Sequence, residues 1–476
     1  MRYRHGDDYI VTEDIEDIYQ RLDDAAGTME ELPKVIAFAK MLLNYGPTTD
    51  KELTQAMSIA RKKIKMMPRR SQLLSVLPRL KEEKEADPAG YATIKQLLVK
   101  KASKSQSGVL VITVLTAPYP IVNGKKQKFS CAWNCYYCPN EPDQPRSYLH
   151  DEPAVKRANE NGFDAVLQFT DRAATLAMNG HPVDKIELLV LGGTWASYPH
   201  EYQEEFVRDL FYAANTFGDR GENCRKERLS LAEEQRMNES AEAKIIGLTL
   251  ETRPDTIDAF ELRRLRHYGC TRVQLGVQHT DDTVLKKINR GCYTADTIAA
   301  LALLKDACYK VDIHLMPNLP GSSIAIDTAM FERVLYDEHL QADQWKIYPC
   351  EIVPWTVIKK WHDEGSYHPY GEEELSEVLA VCKRQVRWST LNSSLDSSLA
   401  LHQLLSTHCS PLLPRLPLLP LHSPPPPSAL LSRVRTGAPV DPPQPRRARH
   451  PFAVRPRRRR RAKPPAGCAA EDGGPR

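Results

Sequence analysis

The hydrophobic rhythm of the chain changes twice. Residues 10–107 carry apolar positions at steps of three and four, as in Leu32–Leu43 and Leu53–Ile64, which predicts helices. From Gly108 the rhythm becomes short β-branched runs separated by helical stretches, the pattern of parallel strands covered by helices. Six such runs are present: Val109–Thr116, Ile186–Leu191, Ile245–Glu251, Arg272–Gln278, Val311–Met316 and Gln344–Tyr348. Helix-like segments separate them, namely Ala154–Asn179, Glu201–Asn215, Thr256–Tyr268, Thr294–Ala307 and Ile324–His339. A six-fold βα alternation predicts an α/β fold built on an open, partial (βα)6 barrel. The charged stretch Asp219–Lys244 reads as an insertion before the third strand. After about Arg387 the periodic pattern is replaced by serine, leucine, a proline run at 423–428 and then Arg457–Arg461, for which disorder is the expectation. The expected organisation is therefore a helical, basic region over 1–107, the barrel over 108–388 and a low-complexity Pro/Arg-rich tail over 389–476.

Length and composition limit the function classes. A chain of 476 residues that is 41% hydrophobic can bury a substantial core and suggests two or three domains. The net charge of +4 hides an asymmetry: from Leu391 onward there are thirteen Arg and one Lys against four acids, so the rest is net acidic. Eleven cysteines in no regular framework, and an N-terminus without an apolar signal segment, lead us to expect a reducing intracellular setting, cytoplasmic or nuclear. No apolar run reaches the roughly 18 residues of a membrane span, so no membrane partner is expected.

Within the helical region two basic clusters stand out, Arg61, Lys62, Lys63, Lys65, Arg69 and Arg70, and then Lys100, Lys101 and Lys104. Clustered cations on one face suit phosphate binding, and solvated helix faces carry lysine as well.

The most specific chemistry lies in SCAWNCYYCPN, just after the first predicted barrel strand. Cys131, Cys135 and Cys138 have the C-x3-C-x2-C spacing that binds three irons of a 4Fe-4S cluster and leaves the fourth open. An open iron lets S-adenosylmethionine (SAM) chelate through its amino and carboxylate groups, and an electron from the cluster then cleaves it to an adenosyl radical. The alternative is zinc with His150 as a fourth ligand, but zinc sites pair a Cys knuckle with a second Cys or His pair, and none lies nearby. The loop also falls at the C-terminal end of a parallel strand, where barrels place their chemistry. Tyr137 is a candidate wall for the adenine. The second strand closes with Gly192, Gly193 and Thr194, where glycines allow backbone carbonyls close to a ligand amine. The third ends in Glu251 and Arg253 and the fourth in Gln278, candidates for holding the SAM carboxylate and ribose. A Glu251–Arg253 ion pair that fixes the loop is the structural alternative.

Taken in order, CYYCPN, VDKIELLVLGGT, GLTLETRPD, GCTRVQLGVQ, INRG and HLMPNLPG resemble the radical SAM domain of the Elongator catalytic subunit family and its prokaryotic relatives, over roughly Lys62 to Lys383. The resemblance implies a basic helical part that helps hold tRNA and a SAM-binding glycine motif at Gly192–Thr194. It implies acetyl-CoA as donor, with the radical activating the acetyl group for attachment to carbon 5 of the wobble uridine (position 34), and hydrolysis then leaving a carboxymethyl group. Lys185 matches a family lysine that contacts the acyl-CoA. Other Elongator subunits would be partners.

The sequence departs from the family pattern in two places. The gap between the first two cluster cysteines is the three residues of radical SAM enzymes in general, where the family usually has a longer one. Beyond Leu375–Ala380 the text does not continue toward the family's acetyltransferase domain, which is expected to be absent. Three readings follow: a tRNA-modifying radical SAM enzyme, a catalytically incomplete tRNA-binding module of the same fold, and a radical SAM enzyme of another specificity.

Overall fold

The computed structural model describes residues 14–26, 30–82, 88–99, 101–220 and 224–385. The tail expected to be disordered, and Lys100, lie outside the described residues.

Five helices come first: α1 (Ile15–Ala26), α2 (Leu32–Tyr45), α3 (Asp50–Ile64), α4 (Arg70–Glu82) and α5 (Pro88–Leu98). The i, i+3, i+4 spacing of Val35, Phe38, Ala39 and Leu42 on α2 meets Leu53, Ala56 and Ala60 on α3, and with Leu73, Leu77, Ile94 and Leu98 these form a separate apolar cluster. Helix α3 starts on a capping box, in which the Thr49 side chain accepts from Glu52 N–H and Glu52 reaches back to the Thr49 N–H. It ends at Lys65 with φ 59°, so Arg61, Lys62 and Lys63 complement the negative end of the helix dipole.

Six parallel strands then form one curled sheet. They are β1 (Leu110–Leu115), followed after a two-stranded hairpin of β2 (Ile121–Val122) and β3 (Lys125–Lys126) by β4 (Lys185–Leu191), β5 (Lys244–Thr252), β6 (Arg272–Gln278), β7 (Lys310–Leu315) and β8 (Gln344–Ile347). The sheet order is β1-β4-β5-β6-β7-β8, every pair parallel. Each strand thus neighbours the next in sequence, and the sheet is the expected open (βα)6 half-barrel. Helices α6 (Pro153–Glu160), α7 (Ala165–Met178), α8 (His200–Asn215), α9 (Leu231–Asn238), α10 (Ala259–His267), α11 (Asp282–Lys287), α12 (Thr294–Asp306), α13 (Ile324–Tyr336), α14 (Val357–Asp363) and α15 (Glu372–Gln385) complete the described chain.

The strand residues that pack on the helices are apolar: Ile112 and Val114, Ile186 and Leu188, Leu248 and Leu250, Val273 and Leu275, Val311 and Ile313. Several of the alternate positions, chiefly on β5 to β8, are polar and bonded to one another. Thr249 Oγ1 donates to Glu187 at 3.1 Å, Arg272 Nη1 meets Asp312 at 2.6 Å, Gln274 Nε2 donates to Asp312 at 3.2 Å and Lys346 Nζ donates to Gln274 at 2.8 Å. A polar inner face satisfied strand to strand fixes strand register, because a one-residue slip would bury these charges among the helices.

Two local departures from the sequence reading have clear causes. The single helix expected over Ala154–Asn179 is two, because Gly162 and Phe163 take φ 57° and 58° and Asp164 caps the new helix at Leu167 N–H. The charged insertion contains its own capped helix, α9, whose Glu234 is buried and paired with Arg225 at 2.7 Å.

Candidate functional site

The loop after β1 carries the three cysteines, and neighbouring loops anchor it. Tyr136 N–H donates to Ile288 O at 3.0 Å, Val357 N–H to Tyr136 O at 3.0 Å, Asn140 N–H to Trp355 O at 3.1 Å and Asn289 Nδ2 to Asn134 O at 3.1 Å. These bonds tie the cysteine loop to the loops after β6 and β8, at the C-terminal ends of the strands.

Each thiol has a defined setting. Cys131 Sγ lies 3.6 Å from Thr194 Oγ1, which places it against the turn after β4. Cys135 is buried, with Arg253 Nη1 and Arg290 Nη1 each 3.7 Å from its sulfur. Cys138 Sγ lies 2.8 Å from Ser147 Oγ and accepts from Arg146 Nε at 3.2 Å. Burial pushes the Cys138 thiol up, while Arg146 and Ser147 draw it back. Among the described residues no three His, Cys, Asp or Glu side chains are gathered to hold a metal ion.

The cations around Cys135 are the notable feature. Arg253 is 3% exposed and clamps Asp255 through two bonds of 2.8 and 3.0 Å, so the Glu251–Arg253 pair considered from sequence is replaced by Arg253–Asp255. Its Nη2 also donates to Arg290 O at 2.9 Å. Arg290 is 5% exposed, donates to the carbonyl of Gly276 and leaves its buried Nε without a partner. Two buried guanidiniums, with Asp255 bonded to Arg253, are stabilised by a further anion, because isolated buried charge is costly. A cluster held by three thiolates is anionic, so this donor set fits it.

Gly192 and Gly193 form the turn that faces Cys131. Gly192 has φ 131°, and a Cβ on it would overlap Thr116 Oγ1, so glycine is required here by close packing of β1 on β4. Its carbonyl accepts from Tyr198 OH at 2.8 Å. Glu251, at the end of β5, accepts from Tyr148 OH at 2.9 Å and lies 3.6 Å from His314 Nδ1. Burial raises the Glu251 carboxyl above its ordinary range, with Lys346 and Tyr148 opposing, and burial holds His314 well below the usual imidazole range. Gln278 ends β6 at φ 72°, and its carbonyl accepts from Met316 N–H at 2.7 Å. Lys185 is not brought to this group: it is the exposed first residue of β4, at the opposite end of that strand from Gly192.

Sequence reasoning passed over Arg146, Tyr148, Arg290, His314 and Lys346. Arg290 stood inside the INRG string, polar alternation in Asp312-x-His314 and Lys346-x-Tyr348 was the available signal for His314 and Lys346, and Arg146 and Tyr148, in a loop, had none. The second basic cluster is also larger than the sequence suggested. Lys104 is drawn down to about 8 by burial and by its cationic neighbours Arg172, Lys101 and Arg157.

Comparison with known proteins finds relatives of part of the chain. The Radical SAM superfamily profile matches residues 129–328. A tRNA uridine(34) acetyltransferase of Methanocaldococcus infernus is 38% identical over 292 residues, covering 60% of this chain and 51% of that protein. Elongator complex protein 3 of Homo sapiens is 32% identical over 314 residues, covering 64% of this chain and 55% of that protein. A solved structure of the archaeal Methanocaldococcus infernus Elp3 with an N-terminal deletion aligns at 35% identity over 58% of this chain and 54% of that one, with a TM-score of 0.46. The chain spans about half the length of the curated relatives it matches. Residues 129–328 thus match the Radical SAM superfamily, and about 60% of the chain is similar to proteins named tRNA uridine(34) acetyltransferase and Elongator complex protein 3.

Proposed function

We propose that this chain works in modification of the wobble uridine of tRNA, as a radical SAM protein that uses acetyl-CoA to build carboxymethyluridine. The observation that carries the reading is the buried Cys135 thiol between the guanidiniums of Arg253 and Arg290, in a loop at the C-terminal ends of a parallel half-barrel. Cys131, Cys135 and Cys138 would hold a 4Fe-4S cluster, which when bound supplies the electron for reductive cleavage of SAM. Arg253 and Arg290 balance the charge of the three thiolates. Thr194 and the Gly192–Gly193 turn, beside Cys131, present backbone groups to the methionine moiety of SAM. Glu251, oriented by Tyr148, is placed to accept from a ribose or amine. Gln278 offers an amide from the next strand. Lys185 lies at the far end of its strand, so a contact with the acyl-CoA there would have to come from outside this pocket.

For RNA, the exposed Arg61, Lys62, Lys63, Lys65, Arg69 and Arg70 and the cluster of Lys101, Lys104, Arg157 and Arg172 supply phosphate contacts. Other Elongator subunits are the expected protein partners. The reading is tested by mass spectrometry of tRNA from cells lacking the gene: carboxymethyl-type wobble uridines should be lost. Unchanged wobble uridines would overturn it.

A further inference from the structure

Trp133 stands in the cysteine loop between Cys131 and Cys135 and has no part in the chemistry described above. Its indole lies directly against Gly291, where a Cβ would overlap Cδ2, Cε2 and Cε3 of the ring almost equally. Three ring atoms at nearly equal distance mean that the ring presents its face, not its edge, to that backbone. The Arg253 guanidinium sits 6.0 Å from the ring centroid, and the Asn289–Asn134 bond pins the adjoining backbone. Gly291 is therefore constrained twice, by φ 60° and by the indole. Even so, Trp133 is 39% exposed.

An exposed aromatic ring with one face built onto the protein is suited to stack a planar ligand. The charge around it selects the class of ligand. Lys125, Lys126 and Lys128 are exposed on the hairpin and the segment leading into the loop, and Lys286 and Lys287 are exposed at the end of α11, next to the Ile288 carbonyl that holds Tyr136. Exposed lysines on the segments that flank an exposed aromatic ring are the combination that binds single-stranded nucleic acid. The adenine of SAM is the other planar candidate, but the Gly291 backbone occupies one face of the indole, and the ring as a whole stays 39% exposed.

We propose that Trp133 is the stacking platform for one unpaired nucleobase of an RNA bound at the mouth of the half-barrel. The inference rests on the reading above that RNA is the substrate. Stacking is tolerant of base identity, so Trp133 contributes affinity and placement beside the cysteine loop, not base choice.

The test uses the full chain and its Trp133→Ala and Trp133→Phe variants, with fluorescence anisotropy on two RNAs: an anticodon stem-loop and a blunt duplex of equal phosphate number. The wild type should prefer the stem-loop. W133A should weaken stem-loop binding by roughly tenfold, within the range of base–aromatic stacking, and leave duplex binding unchanged. W133F, which keeps an aromatic face, should restore most of the loss. Equal losses on both RNAs, or none, would overturn the proposal, and so would a loss confined to SAM affinity measured by equilibrium dialysis. A wild type with no preference for the stem-loop would remove the RNA reading and this inference together, whereas a preference that survives W133A removes this inference alone.

Discussion

Asp327 is the buried residue whose loss the structure prices most clearly. It lies at the start of α13 with a fully buried side chain, and each carboxylate oxygen accepts two hydrogen bonds. Oδ1 takes His279 Nε2 at 3.0 Å and Ser322 Oγ at 2.5 Å, and Oδ2 takes Asn318 N–H at 2.6 Å and Tyr370 OH at 2.7 Å. Asp281 N–H donates to His279 Nδ1, which assigns the hydrogen to Nε2 and orients it toward Asp327. Burial alone would raise this carboxyl, but the four donors outweigh it and hold Asp327 below the usual range. In Asp327→Asn one oxygen becomes an NH2 group, so two accepted bonds are lost and two donors face a donor. Hydrogen bonds to a charged group contribute about 1.5–3 kcal/mol each, giving an expected loss of about 3–6 kcal/mol, a large part of the stability of an ordinary domain. Urea denaturation followed by circular dichroism reads this out. Asp363→Asn, which breaks only exposed pairs with Lys359 and His362, is the control and should leave the midpoint in place. A loss below about 1 kcal/mol in D327N would refute the reasoning, because it would mean the four bonds are replaced by water at little cost.

Three further outcomes follow from the same geometry. Gly192→Ala should lower stability and iron content together, since its Cβ overlaps Thr116 at φ 131°; near-wild-type urea midpoint and iron content would contradict the packing argument. His314 is held neutral by burial and by the cations Lys346 and Arg290, so the unfolded chain takes up a proton below about pH 6.5 that the folded chain refuses. Its penalty is therefore absent above that pH and grows as pH falls toward the folded value; Glu251, raised, acts in the opposite sense from about pH 4.5 upward. Between pH 7.5 and 5.5 the wild type should lose about 1.4 kcal/mol more than His314→Gln in denaturant titrations. Replacing Lys62, Lys63, Lys101 and Lys104 by Ala should flatten the salt dependence of tRNA binding and erase its preference over unstructured RNA, whereas deleting residues after Thr390 should weaken binding to any RNA alike; filter binding at two salt concentrations separates the two.

The sheet was legible because buried parallel strands are written as short β-branched runs, and all six were placed within a residue or two of their observed ends. The break between α6 and α7 was not, since apolar spacing runs on through Phe163, although Asn161–Gly162 and the Asp164 cap mark the turn that Gly162 and Phe163 make at φ 57° and 58°. The β2–β3 hairpin was missed although Asn123–Gly124 is a strong turn signal, because its strands are two residues each. At the site, local spacing named the cysteines. It could not name Arg290 as a neighbour of Cys135, because that contact spans 155 positions. The MPNLPG string, read as a family signature, gains a structural role: Asn318 N–H is one of the four donors to Asp327.

The central claim is that Cys131, Cys135 and Cys138 hold an iron–sulfur cluster, and anaerobic reconstitution followed by metal analysis tests it most directly. The wild type should bind about four irons per chain and turn brown, and each of Cys131→Ala, Cys135→Ala and Cys138→Ala should lose them. Stoichiometric zinc without iron, in protein kept from oxygen throughout, would contradict the account.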